Sequence, residues 1–320
     1  MHKDTKAKGF TLIEILAATG IMTIIILIVL SLTTNVLTVW NRSTGQLTAN
    51  YEARVALDIM ATDLETMVLR NRDFCWLDVI YDEPSTSTQI ESFDGALPEM
   101  PEIYFMARVE DRPRETSGGL PIYGDICTVG YALKYQDPVT GGTASSSSTF
   151  PMFGLYRLLI DSEHTFEDVM GSDQALLRDA IMDSGYYDQH GNVGTVNINT
   201  ISRMENFLAA NIVDFSLVFW YTDENGELRS ITSGGDGTGD GQNFQYTNKL
   251  NIVDDPTVTG TLEFVDITVT VMSNEGMQLI QNNDASVLKG SDGDTDLWFK
   301  LVDEYGQTFS RRIQIMAKPL

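Results

Sequence analysis

From Phe10 to about Leu32 the chain is apolar and carries a single charge, Glu14. As a helix these 23 residues (10–32) would extend roughly 34 Å, enough to cross the hydrocarbon core of a bilayer. A short leader precedes the run, with Lys3, Lys6 and Lys8 opposed by Asp4. Beyond Arg42 the pattern turns amphipathic. Leu47, Tyr51, Val55, Ile59 (or Met60), Leu64 and Met67 recur at three- and four-residue steps, with Asp58, Asp63, Glu65 and Arg70 between them. No proline occurs before Pro84, and Gly20 and Gly45 are the weak points. The pattern predicts one helix from about 11 to 71 whose apolar stripe packs beneath a head domain. A break near Asn41–Gly45 would still leave the second half packed on that head.

Downstream, strand patterns take over. Glu102–Arg108, Cys127–Tyr135, Phe153–Ile160, Ile212–Tyr221, Leu228–Thr232, Phe264–Ser273 and Phe309–Met316 read as strands, several with apolar residues at nearly every second place. Asp223-Glu224-Asn225-Gly226 reads as a hairpin turn, with Asn-Gly supplying two successive positive φ angles. Two short helices are expected among the strands. One is Gln174–Met182, capped by Ser172 or Asp173 and ended near Gly185. The other is opened by a Ser202/Glu205 capping box and ended near Asn211. Asp137–Phe150, Ser233–Asn243 and Ser85–Pro101 read as flexible loops too poor in apolar residues to fold alone. The expected class is α+β: a leader (1–9), a long N-terminal helix (10–72, spanning a membrane over 10–32) and a β-rich head (73–320).

Charge and cysteine content add topology. The lysines before the apolar run and the acidic chain after it predict a single-pass protein with a cytoplasmic N-terminus and an external head. The formal charge is −24; losing the leader, with three Lys and one Asp, makes it −26. So acidic a chain is not expected to hold nucleic acid through a phosphate-neutralising patch. Cys75 and Cys127 would face an oxidising compartment, where a disulfide and two buried thiols both fit their spacing.

Glu14 is what a plain anchor leaves unexplained. A secretory signal peptide has a shorter apolar core, about 7–15 residues, followed by a small-residue cleavage site that is missing here. A carboxylate inside lipid costs on the order of 2.5–3.5 kcal/mol and marks a function. Its natural partner is a cation at similar depth, and cleavage after Gly9 would create one: the α-amine of Phe10.

The stretch KGFTLIEILAATGIMTIIILIVL resembles the class III signal of type IV pilins and type II secretion pseudopilins. The resemblance implies that a bacterial prepilin peptidase cuts the Gly9–Phe10 bond and methylates the new N-terminal Phe10. It also implies that Glu14 pairs with the N-terminal amine of a neighbouring subunit during assembly. EARVALDIMATDLETMVLR (Glu52–Arg70) is similar to the helix segment of J-type minor pseudopilins (GspJ) and PilW-like minor pilins, with Asp63-Leu64 and Arg70 at the matching places. VGYALKY (Val129–Tyr135), GLYRLLID (Gly154–Asp161) and LAANIVDFSLVFWYTDENGEL (Leu208–Leu228) resemble their strands. The chain departs from that family in its extra length, in loops and in the 162–211 region. It also has Ser31–Thr34 where many major pilins carry a proline. The expectation is a minor pseudopilin of the inner membrane with a periplasmic head, assembled with other pilins or pseudopilins into a type II secretion pseudopilus or its tip. The alternatives are a minor pilin of a type IV pilus, and a tethered periplasmic enzyme or sensor sharing only the anchor.

Enzyme motifs are missing. His2, His164 and His190 are scattered, and there is no G-x-S-x-G elbow, H-E-x-x-H or phosphate loop. No catalytic residue and no cofactor is expected, with one candidate exception. Asp292, Asp294 and Asp296 stand two residues apart, the ligand rhythm of a calcium loop, with Asp303 near a twelfth position. Leu297 replaces the needed glycine, Asp303 is not the usual glutamate, Trp298–Val302 reads as a strand, and a plain polar turn is the favoured reading. Asp236 and Asp240 make a looser cluster.

Overall fold

A computed structural model describes residues 11–70, 74–82, 100–109, 114–115, 121–122, 126–139, 152–171, 177–183, 201, 204–233, 244–246, 250–252, 260–282 and 296–316. The chain forms two compact units, 1–47 and 48–320. The first contains the N-terminal part of helix α1 (Leu12–Glu65), which continues without a break into the second. Every described residue from 11 to 40 is exposed.

The second unit is built from strands β1 (Leu77–Asp82), β2 (Met100–Ala107), β3 (Arg114–Glu115), β4 (Pro121–Ile122), β5 (Cys127–Gln136), β6 (Met152–Ile160), β7 (Phe207–Ala210), β8 (Ile212–Asp223), β9 (Leu228–Ser233), β10 (Phe244–Tyr246), β11 (Leu250–Ile252), β12 (Gly260–Met272) and β13 (Gly306–Gln314). Its helices are α2 (Ser162–His164), running into a π-helical turn at Thr165–Val169, then α3 (Leu177–Asp183), α4 (Asn274–Asn282) and α5 (Asp296–Tyr305). Two antiparallel sheets dominate. One has the order β11-β10-β1-β2-β5-β6-β7 and the other β13-β12-β8-β9; β3 and β4 pair separately. The α+β class holds.

Alternation explains the core. On β8, Phe215, Leu217, Phe219 and Tyr221 point inward opposite Val265, Ile267 and Val269 of β12. Phe219 meets Phe244 of the other sheet edge-on at 4.8 Å, and Trp298 of α5 meets Phe153 at 5.4 Å. Each such side chain contributes about 1.5–3 kcal/mol by leaving water. On the seven-stranded sheet, Gly130 leaves room for the Tyr104 ring, which a Cβ there would approach to 2.8 Å.

All seven expected strands form. The helix expectations fare less well. α1 ends at Glu65 rather than near 71, because the chain that follows joins the sheet: Val68 N donates to Met106 O at 2.8 Å and Arg108 N to Thr66 O at 3.0 Å. The helix predicted after Ser202 is a single 3-10 turn (Met204–Asn206) followed by β7. Pairing with β6 and the contact of Phe207 with Tyr156 (5.5 Å) override the local capping signal. Trp298–Val302 is helical, not extended, because Trp298 and Leu301 lie three residues apart and share a buried helix face. α3 begins at Leu177; Ser172, Asp173 and Gln174 lie outside the described residues. So do 83–99, 140–151 and 234–243, which hold most of the three predicted loops together with Asp236 and Asp240.

The hairpin after Asp223 forms differently from expectation. Only Gly226 has a positive φ (81°), and the Asp223 side chain accepts from Asn225 N and Glu227 N, both at 2.9 Å. The stripe expected for the long helix holds in part: Met60, Leu64 and Met67 are buried as expected, and its first half is rotated. Leu47, Tyr51 and Val55 are exposed, whereas Ala49, Ala53, Ala56, Leu57, Met60, Ala61 and Leu64 are buried. The buried face combines small alanines with Leu57, Met60 and Leu64.

Candidate assembly site on the N-terminal helix

Thr11-Leu12-Ile13-Glu14 has the T-x-x-E spacing of a capping box. Thr11 stands just before α1, and Glu14 reaches back to it. Thr11 N and Thr11 Oγ1 both donate to Glu14 Oε2 at 2.8 Å, while Glu14 N and Ile15 N donate to Thr11 O at 3.1 and 3.3 Å. The carboxylate thus satisfies two local neutral donors, and among the described residues no cation pairs with it. The threonines further along bond inward: Thr19, Thr23, Thr33, Thr34 and Thr38 each donate to a carbonyl three or four residues back, at 2.8–3.0 Å. Their hydroxyls therefore need no water, which suits an apolar solvent. α1 is the one helix among the described residues long and apolar enough to cross a membrane, and none of its most apolar window is buried within the chain.

In the second unit α1 carries another carboxylate, Asp63, with its partners inside the fold. It is 3% exposed. Arg157 of β6 grips it through Nε (2.7 Å) and Nη2 (3.0 Å), and Tyr131 of β5 donates its hydroxyl to the same carboxylate. Burial, and then the Asp63 charge, push the Tyr131 phenol well above its ordinary range. Burial opposes the Arg157 charge, but the bonds to Asp63 outweigh it and hold the guanidinium above its usual value. At the surface Arg311 of β13 bonds Asp58 at 2.6 Å, and the Arg54 guanidinium lies 5.2 Å from the Phe309 ring centroid.

A second charged network lies on the opposite face of the seven-stranded sheet, where α3 approaches. Glu102 of β2 pairs with Lys134 of β5 and accepts from the Tyr104 hydroxyl at 3.0 Å, and Arg178 Nε lies 3.9 Å away. Burial works against the Glu102 charge, but Lys134 and Arg178 outweigh it and hold its carboxyl below the usual range. Arg178 N also bonds Asp78 at 3.1 Å. The sequence pattern marks Glu102, Tyr104 and Lys134 as ordinary strand positions and Arg178 as a helix position. Their signal was a lone charge set inside an apolar strand, such as Lys134 in Val129–Tyr135.

The remaining candidate residues separate. Gly9 and Phe10 lie outside the described residues, as do Asp292 and Asp294; Asp296 is the first residue of α5. Among the described residues no group of three His, Cys, Asp or Glu side chains is placed to hold a metal. No bridge joins Cys75 and Cys127, both of which are buried thiols. Cys75 precedes β1 and Cys127 opens β5, with β2 between them. Two strand spacings come to about 10 Å, beyond the Cα separation a disulfide spans. Cys75 Sγ instead donates to Leu77 O at 3.2 Å, and burial pushes its thiol up to about 12.

Residues 4–30 match the family model of the prokaryotic N-terminal methylation motif. The match takes in the Gly9–Phe10 bond, Thr11 and Glu14, and supports a prepilin-type N-terminus of the kind processed by prepilin peptidase and assembled with other pilins. No curated protein and no solved structure matches the chain. The motif and the exposed apolar helix together are consistent with membrane anchoring.

Proposed function

We propose that this protein is a minor pseudopilin, cut by prepilin peptidase at Gly9–Phe10, methylated at Phe10 and assembled into a type II secretion pseudopilus or its tip complex. Its role is structural, with no catalytic residue and no cofactor. Its N-terminus lies in the cytoplasm, its helix in the inner membrane and its head in the periplasm. The observation that carries this reading is a carboxylate, Glu14, within the methylation motif on a helix whose described apolar residues from 11 to 40 are all exposed. Support for the J-type comes from the head. The segments that resemble J-type strands fall in β5, β6 and the β7–β8 pair, and the matching aspartate, Asp63, ties α1 to β5 and β6.

The mechanism follows from charge placement. Within one subunit the Glu14 carboxylate is taken up by Thr11 N and Thr11 Oγ1, so pairing with the Phe10 amine of a second subunit would have to compete with that local bond. Between two subunits offset by about a turn the two charges meet at one depth, and low-dielectric surroundings make the pair favourable over separate charges. Glu14→Gln should leave insertion and cleavage intact and reduce crosslinking to filament partners at matched expression. Crosslinking equal to wild type would remove the charge pair from the mechanism.

A further inference from the structure

The four-stranded sheet ends on a long strand that is paired on one side. Among the described residues β13 bonds β12 alone, in a register without a bulge. It has nine residues, against three in β11, four in β7 and six in β9, the other end strands of the two large sheets. Ile315 N donates to Glu263 O at 2.9 Å, in step with the β12–β13 register. Odd-numbered residues of β13 therefore bond β12, and even-numbered ones turn their backbone N–H and C=O out of the sheet. Thr308, Ser310, Arg312 and Gln314 are all exposed and present these groups roughly 6.8 Å apart.

Such an edge is a template for another backbone, and natural edges are blunted by prolines, bulges or charged side chains. β13 has no proline, and both its charges are drawn back onto the head. Arg312 reaches across the outer face, bonding Asp266 at 2.6 and 2.7 Å and lying 4.5 Å from the Phe264 ring centroid. Arg311 turns to α1, 2.6 Å from Asp58. Thr308 leans on Thr270 at 3.0 Å. On the inner side Arg54 stands 5.2 Å from the Phe309 centroid, and Ile313 is buried. The strand is thus fixed to the head by contacts that leave its outer edge open.

We propose that β13 takes up an extended segment of another polypeptide, which adds a further strand to this sheet. Recognition runs through the outward N–H and C=O groups. The added strand needs no charge, since both arginines already have carboxylate partners and its neighbours on the outer face include Thr308, Ser310 and Gln314. A second copy of β13 does not fit: the antiparallel register that uses all four outward residues sets Arg311 directly against its copy. The proposal concerns the head and does not depend on the reading of the N-terminal helix.

The experiment places the photoreactive amino acid benzoylphenylalanine singly at Thr308, Ser310 or Gln314, with exposed Glu304 of α5 as the control, in the full-length chain in membranes of the cells that naturally make it. Adducts are mapped by mass spectrometry. The expected yield at the three β13 positions is at least five-fold that at Glu304. Positions two and four residues apart on β13 should map to positions equally far apart along one segment of one partner, the register of a strand. Ser310→Pro removes an outward N–H and no ladder bond. It should lower the adducts from Thr308 and Gln314 at least five-fold while the head keeps its melting transition. Thr308→Pro, read from Gln314, gives the same test if Ser310→Pro does not fold. Adducts scattered over many segments, adducts with a second β13 or within this chain, yields equal to the control, or adducts indifferent to proline would each overturn the proposal.

Discussion

Glu14 and Asp63 are two carboxylates on one helix, and their surroundings differ in kind. Asp63 is enclosed by its own fold, gripped by Arg157 and bonded by Tyr131. Glu14 is exposed and, among the described residues, its carboxylate is bonded to Thr11, three residues away. One charge is completed by the chain that carries it. The other lies on a helix whose described residues from 11 to 40 are all exposed, and its proposed partner is the Phe10 amine of a second subunit. Substitutions should separate the two: loss of the charge at Asp63 should act on folding, and loss at Glu14, on the proposed reading, on association.

The largest effect should come from Asp63→Ala. It strands the Arg157 guanidinium in a mostly buried site and should cost the head about 3–5 kcal/mol, read by chemical denaturation. Asp63→Leu combined with Arg157→Met should recover most of that loss, since neither charge is then left alone. A double variant as unstable as Asp63→Ala would mean that the charge pair is not what holds α1 to β5 and β6.

Asp214 sharpens the contrast, because it is half-buried with no cation beside it among the described residues. Burial lifts its carboxyl from 3.8 to about 6, against the opposing bonds from Thr270 and the Phe215 backbone. The folded state then holds this proton more tightly than the unfolded chain. Stability is accordingly higher below about pH 4 and falls as pH rises towards 6. Asp214→Asn should stabilise the head by about 2–3 kcal/mol at pH 7 and by little at pH 4. Denaturation at the two pH values checks this, and an equal effect at both would refute it.

Much of the head was legible because its long strands alternate apolar and polar residues. What was missed has local causes. The stripe expected for the long helix holds at Met60, Leu64 and Met67, but fails at Leu47, Tyr51 and Val55, where large residues stand out and the buried face is made by Ala49, Ala53 and Ala56. β7 was hidden behind a capping signal, and α5 behind a run of strand-forming residues at Trp298–Val302 too short to reveal its helical period. β1, β10 and β11 are short and give little alternation to read. At the assembly site, the pattern exposed Glu14 directly, since one charge in an apolar run needs no tertiary information. Its bond to Thr11 was implicit in the T-x-x-E spacing. The Arg157 partner of Asp63, 94 positions away, was not visible from local pattern.

Asn211 provides a smaller test confined to the head. It holds φ 56° between β7 and β8, with its N bonded to Phe153 O and its O accepting from Met272 N, both at 2.8 Å. Asn211→Ala should cost about 1–2 kcal/mol, and Asn211→Gly less, because glycine adopts this backbone readily. Smallest of all, Glu14→Gln should change head stability by less than about 0.5 kcal/mol, as expected for an exposed site remote from the core.

The proposed pairing of Glu14 needs a new amine at Phe10, so the most direct measurement is the intact mass of the protein from cells that contain prepilin peptidase. The account predicts a chain that has lost residues 1–9, begins at Phe10 and carries one added methyl group. A chain that retains Met1–Gly9 in those cells would contradict it.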